Sequence, residues 1–204
     1  LIVDVRGNGG GLIWAAEQLL QLFTDARIEP ERAQFLSSPA TLRLVRLNSP
    51  SPHSSTLNLA PWTDSIARAV VTAAVHSEGF PITPIDKANA IGRQYHGPVV
   101  LVTDALAYSA TDMFAAGFRD HAIGPILGVD DNTGAGGANV WSYSLLQTLL
   151  SEDGDDWSDL PGGCDVRVAI RRTLGVGPNA GMPLEDLGVV PDERHHLTRR
   201  DVLE

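Results

Sequence analysis

Apolar and polar positions alternate in blocks along the 204-residue chain. Leu1, Ile2, Val3 and Val5 make an apolar run broken only by Asp4, which predicts a buried strand, and Gly7, Gly9, Gly10 and Gly11 end it. Beyond them Leu12, Ala15, Ala16, Leu19, Leu20 and Phe23 recur at helical spacing. Residues 1–23 therefore read as strand, glycine loop, amphipathic helix. Residues 37–61, rich in Ser, Pro and Asn, read as an exposed loop. Ile66, Ala69, Val70, Ala73 and Ala74 predict a second helix over Trp62–His76, with Thr63 or Asp64 as its cap.

The run "GPVVLVT" at 97–103 is β-branched and suits a buried parallel strand. Met113, Phe114 and Phe118 then predict a helix within "ATDMFAAGFRDH", and "IGPILGV" at 123–129 predicts the next strand. Strand, helix, strand is a crossover unit, so the fold class is α/β. A second glycine loop, "TGAGGANVW", starts at Thr133. Residues 151–159 are acidic and predict a solvated loop, and the tail turns at Val190-Pro191-Asp192 before a charged end.

Composition narrows this picture. With 43% hydrophobic residues, the whole of 1–204 fits a single α/β core domain carrying an insertion at about 37–96. A net charge of −10 and a pI near 4.9 disfavour nucleic acid and anionic membranes as partners. The one cysteine, Cys164, has no second cysteine to pair with. No stretch has the length or apolarity of a membrane span, and no signal peptide is visible. The chain opens inside a strand and without Met, so it reads as a fragment of something longer.

The first glycine loop admits three chemistries. A dinucleotide cradle fails on spacing: G-x-G-x-x-G begun at Gly7 needs glycine where Leu12 stands, and the acid about 20 residues on, Asp25, ends a helix instead of following a second strand. The Lys-Ser/Thr of a phosphate-binding P-loop is also missing. A tight turn for close strand–helix packing remains. So does an oxyanion hole, in which amides at a helix N-terminus meet a charge that exists only in the transition state. The last reading requires a nucleophile elsewhere.

Ser109 is the candidate, placed after a buried strand and at the start of a helix. "SATD" at 109–112 also reads as a capping box, which the residues alone favour, and the G-x-S-x-G elbow of α/β-hydrolases is absent.

Four blocks in order, "LIVDVRGNGGG", "GPVVLVTDALAYSATDMFAAGFRDH", "TGAGG" and "LEDLGVVPD", resemble those of the C-terminal-processing (tail-specific) serine peptidases and their tricorn-type relatives over most of residues 1–193. The resemblance implies a Clp protease/crotonase-like core of stacked β-α units. It makes Ser109 the nucleophile of a serine endopeptidase, with the oxyanion hole formed by the Ala110 N–H and one from Gly9 or Gly10. Tail-specific members use a lysine base in the loop that here reads "NTGAGG", and its position corresponds to Ala135. The only lysine, Lys87 beside Asp86, fits no family position. The chain therefore resembles the tricorn-type branch, whose base histidine and neighbouring serine precede the first glycine block and would lie outside residues 1–204. Glu185 resembles the acid that orients that base.

The resemblance also implies a peptide or protein substrate, no metal, no organic cofactor and an extracytoplasmic site of action, and it leaves a homo-oligomer open. The histidines of this chain are badly placed to serve as the base. His96 lies at the far end of the strand from Ser109, and His121 follows a helix that puts it about 16 Å away. His53, His76, His195 and His196 read as surface residues. Two rivals stand: a non-catalytic peptide- or ligand-binding relative, and a crotonase-like acyl-CoA enzyme whose activity would survive Ser109→Ala.

Overall fold

The computed structural model describes residues 1–49, 58–136, 140–150, 158–185, 187–196 and 198–203. In chain order these form β1 (Ile2–Asp4), α1 (Ile13–Gln21), β2 (Arg32–Phe35), α2 (Pro39–Leu47), α3 (Ala60–Thr72), β3 (Phe80–Pro81), α4 (Ile85–Ala88), β4 (Val100–Thr103), α5 (Ala110–Asp120), β5 (Ile126–Gly128), β6 (Val140–Ser142), α6 (Tyr143–Leu150), β7 (Arg167–Ala169), β8 (Arg171–Leu174), β9 (Glu193–Arg194) and α7 (Arg199–Leu203). The chain divides into two compact units. Residues 1–32, 81–137 and 173–204 make the first, and 33–80 with 138–172 make the second. The insertion expected at about 37–96 thus contributes residues 37–80 to the second unit and 81–96 to the first.

The first unit is built on a parallel sheet of order β1-β4-β5-β9, in register Val3↔Leu101, Leu101↔Ile126 and Leu127↔Glu193. The expected crossover is β4, α5, β5. Leu101 and Ile126, on its two central strands, are fully covered. The core adds Leu20, Ile28, Met113, Phe114, Phe118 and Val189. Burying side chains of this size contributes about 1.5–3 kcal/mol each. Helices α1 and α5 approach so closely that a Cβ on Gly117 would strike Leu20 Cδ1.

One expectation fails here. Strand β1 ends the strand order, and Leu1 and Ile2 remain 52% and 71% exposed instead of buried. An apolar run looks the same in a central strand and at an edge, and only the pairing order separates them.

In the second unit, Trp62 on α3 stacks edge-on against Phe35 and Phe80 at centroid distances of 5.3 and 5.8 Å, and its Nε1–H donates to the Ala33 carbonyl at 2.7 Å. The sheet β3-β2-β8 carries Ala33, Phe35 and Phe80, and β6 pairs antiparallel with β7. The loop expected at 37–61 contains helix α2 instead. Ser38 is its N-cap, with Oγ accepting from Thr41 N at 3.0 Å, and Pro39 opens it. Helix α3 begins at Ala60, before the expected Thr63 or Asp64 cap, because Pro61 is pre-set for a first helical turn and Asn58 Oδ1 accepts the Ala60 N–H. The acidic loop expected at 151–159 lies mostly outside the described residues.

Candidate active site

Ser109 stands at the N-cap of α5 with φ +61° and ψ −121°. Such a conformation costs a residue with a Cβ roughly 1–3 kcal/mol, so the surroundings must hold it. They do so through backbone amides. Asp112 Oδ2 accepts the Ser109 N–H at 2.7 Å, and the Asn8 carbonyl accepts the Tyr108 N–H at 3.0 Å. Asp104 Oδ1 accepts the Leu106 N–H at 3.0 Å, and Asp130 Oδ2 accepts the Ala105 N–H at 2.8 Å. The N-cap role and the strained presentation of Ser109 coexist in one residue.

The glycine loop meets this turn directly. Both oxygens of Asp104 accept the Gly7 N–H at 3.0 Å. Gly10, at φ +96°, passes so near that a Cβ there would lie 2.6 Å from the Tyr108 carbonyl, 2.7 Å from Ser109 Cβ and 2.8 Å from Ala110 N. No other residue type fits that approach. Ala110 is the first residue of α5, so its N–H has no acceptor within the helix. The Gly10 N–H donates to Asn8 Oδ1 at 3.0 Å, whereas the Gly9 N–H has no hydrogen bond among the described residues. Ser109, Gly9, Gly10 and Ala110, about 100 residues apart in sequence, are thus brought together.

Beside them opens a pocket of about 220 Å³. Leu12 at the N-cap of α1, Ala15 and Leu19 within α1 and Phe114 from α5 form its apolar wall, and Gly10 and Ala110 also line it. Sequence reading missed this pocket: Leu12 and Leu19 fit the apolar helical spacing, and only the structure shows them exposed, at 62% and 47%.

The second glycine loop packs against the same turn. Gly134 N–H donates to the Ala107 carbonyl at 2.9 Å, and a Cβ on Gly134 or Gly136 would strike the Tyr108 ring. Ala135, at φ +58°, donates its N–H to Asp112 Oδ1 at 3.1 Å. Glu185 lies on a neighbouring loop, where both its oxygens accept the Thr173 N–H at 2.8 and 2.9 Å. That loop is tied to Thr133 by the Val189 N–H to Thr133 Oγ1 bond of 2.8 Å. No hydrogen bond joins Glu185 to Ser109 among the described residues.

None of the described histidines hydrogen-bonds to Ser109. His121 is engaged at both ring nitrogens, by the Gly117 carbonyl at 2.8 Å and the Glu29 N–H at 2.9 Å, which fixes Nδ1 as the protonated nitrogen. His195 faces Asp201 at 3.2 Å, His96 and His196 are exposed, and burial, with Arg172 nearby, pulls His76 below its usual value. His53 lies outside the described residues. Lys87 is exposed and places Nζ 4.2 Å over the Trp14 ring. No cluster of three or more metal-ligating side chains occurs among the described residues.

A family model, peptidase family S41, matches residues 1–193. The chain belongs to peptidase family S41. The four-block resemblance is thereby borne out, and the chain is a member of a family of serine peptidases. No curated protein sequence matches the chain. Among solved structures, mature CPAF complexed with lactacystin matches at a TM-score of 0.65 and 16% identity, covering 99% of this chain and 40% of that one. A putative peptidase from Parabacteroides merdae matches at 0.58 and 21%, covering 99% and 46%. At these identities the likenesses establish the fold, an α/β core around a parallel sheet, as expected. The S41 chain spans less than half the length of either structure. Among its described residues, no helix is long and apolar enough to cross a membrane.

Proposed function

We propose that this S41 chain is the catalytic core of a serine endopeptidase in which Ser109 is the nucleophile. The observation that carries the reading is the strained Ser109 turn pressed against the Gly10 backbone, with the helix-start amide of Ala110, unpaired among the described residues, beside it. Ser109 Oγ attacks the scissile carbonyl carbon and gives its proton to a histidine contributed from outside residues 1–204. The carbonyl oxygen, now negative, is received by the Ala110 N–H and by a glycine-loop amide. The unpartnered Gly9 N–H is ready for this, while the Gly10 N–H would first have to leave Asn8 Oδ1. As the C–N bond breaks, the histidine returns the proton to the leaving amine. Water then hydrolyses the acyl-enzyme by the same route. Glu185 orients the base, and the apolar pocket takes the side chain on the acyl side of the scissile bond.

Labelling the full-length protein with an active-site serine phosphonate tests the reading. The expected result is an adduct on Ser109, absent from Ser109→Ala, whose hydrolysis falls by at least about 10³-fold. Absence of an adduct in the wild type overturns it. A second reading, a peptide-binding relative without chemistry, draws on the lack of any described base at Ser109. It requires peptide binding in the wild type with no turnover.

A further inference from the structure

Asp112 is fully buried, does not line the pocket, and makes no hydrogen bond to the first glycine loop among the described residues. Its carboxylate instead collects three backbone N–H groups from two separate segments. Oδ2 accepts from Ser109 at 2.7 Å and from Gly136 at 3.0 Å, and Oδ1 accepts from Ala135 at 3.1 Å. A capping box requires only the first of these bonds. The other two fasten the loop at 133–136 to the nucleophile turn, where the Tyr108 ring and the Gly134-to-Ala107 bond already seat it. Both segments carry a residue with a Cβ at positive φ, Ser109 at +61° and Ala135 at +58°. Two strained backbone sites thus share one carboxylate.

We infer that Asp112 is a positioning residue for the proposed peptidase reaction. It holds the Ser109 amide, and with it the direction of Oγ, in fixed relation to the 133–136 loop, so that the two move as one body. This rests on the peptidase reading. A carboxylate suits the task because it only accepts, and its two oxygens can take all three amides. An asparagine has one accepting oxygen, and its NH₂ would face a backbone N–H. Glutamate keeps both oxygens on a stem one methylene longer. A displacement of the nucleophile by even about 1 Å is worth roughly 10² in rate.

The test uses the full-length protein, Asp112→Asn and Asp112→Glu, with a short peptide substrate and the serine phosphonate. Asp112→Asn is expected to lower kcat and the labelling rate of Ser109 by about 10²-fold, with KM within about threefold. Asp112→Glu should recover at least a tenth of the wild-type kcat. A control of matched destabilisation in the second unit, Phe35→Leu, should keep wild-type kcat at the same temperature. A kcat of Asp112→Asn within threefold of wild type, or a loss equalled by Phe35→Leu, overturns the role. If the variants do not fold, amide hydrogen exchange on the wild type decides. Slow exchange at Ser109, Ala135 and Gly136 with one common opening rate supports the shared clamp, and rapid or unrelated exchange overturns it. A wild type that the phosphonate does not label defeats the peptidase reading itself, whereas a labelled wild type with an unaffected Asp112→Asn defeats only this inference.

Discussion

Two sets of buried carboxylates lie in the same unit and could hardly be treated more differently. Asp112 is fully covered and receives three backbone amides. Glu17 on α1 and Glu31 before β2 are 2% and 3% exposed, and between them they receive one amide, the Glu31 N–H on Glu17 Oε1 at 3.2 Å. Glu17 Oε2, both Glu31 oxygens and the nearby Thr83 Oγ1 are buried without a hydrogen-bond partner among the described residues. Burial lifts Glu17 from its ordinary 4.5 to about 7. Burial first, then the neighbouring Glu17 and Asp120, push Glu31 well above the carboxylate range. Equal burial therefore yields a backbone clamp where amides converge and a proton store where they do not. Helix α1 carries Ala15 and Leu19 on the pocket beside Ser109 and Glu17 on the acid pair.

The largest expected effect tests the amide-rich side. Gly10→Ala forces a Cβ into Ser109 Cβ and the Ala110 amide, so kcat/KM should fall by at least about 10²-fold. Wild-type turnover in this variant would break the link between the backbone approach and the chemistry. A smaller effect belongs to the shared helix. Ala15→Phe fills the pocket and should cost about tenfold in kcat/KM for substrates with a large apolar side chain on the acyl side. Small side chains should be spared, and an equal loss for both would show that the pocket does not select.

The smallest effect lies on the amide-poor side and is one of stability. The unfolded Glu17 gives up its proton near 4.5 and the folded one near 7, so over that interval the folded state holds the extra proton. The stability this supplies is complete below about pH 4.5 and lost as pH rises through 7, with Glu31 extending the decline upward. Glu17→Gln, neutral throughout, should flatten a decline in Tm of roughly 5 °C between pH 5 and 8. A wild-type profile as flat as that of the variant would mean the pair carries no such proton.

The same contrast explains what the sequence could and could not disclose. Runs such as "GPVVLVT" and the spacing of Met113, Phe114 and Phe118 carry their own period, so β4, α5 and the crossover were legible. Ser109 and Gly10 were legible through strand–loop–helix order and family resemblance. Helix α2 was hidden by a Ser- and Pro-rich composition that also signals a loop, although Ser38-Pro39 is a helix start. Two of the three Asp112 bonds come from residues 135 and 136, and no local pattern announces a partner 23 or 24 positions away. Glu17 falls outside the apolar spacing of α1, so neither its burial nor Glu31 as its neighbour was readable.

The bonds that bring the first glycine loop to the Ser109 turn join residues 97 to 100 positions apart, as in Gly7 to Asp104 and Tyr108 to Asn8. Closing a loop of that size costs about 4 kcal/mol of chain entropy before the contact returns anything. The β1–β4 pairing, with Ile2 opposite Val100, closes the same stretch of chain, so one closure serves both the sheet and the turn. The positive-φ turn at Ser109 therefore has its supporting contacts from that loop only once that closure is made. On the proposed peptidase reading, the nucleophile is assembled only in chains that have made it.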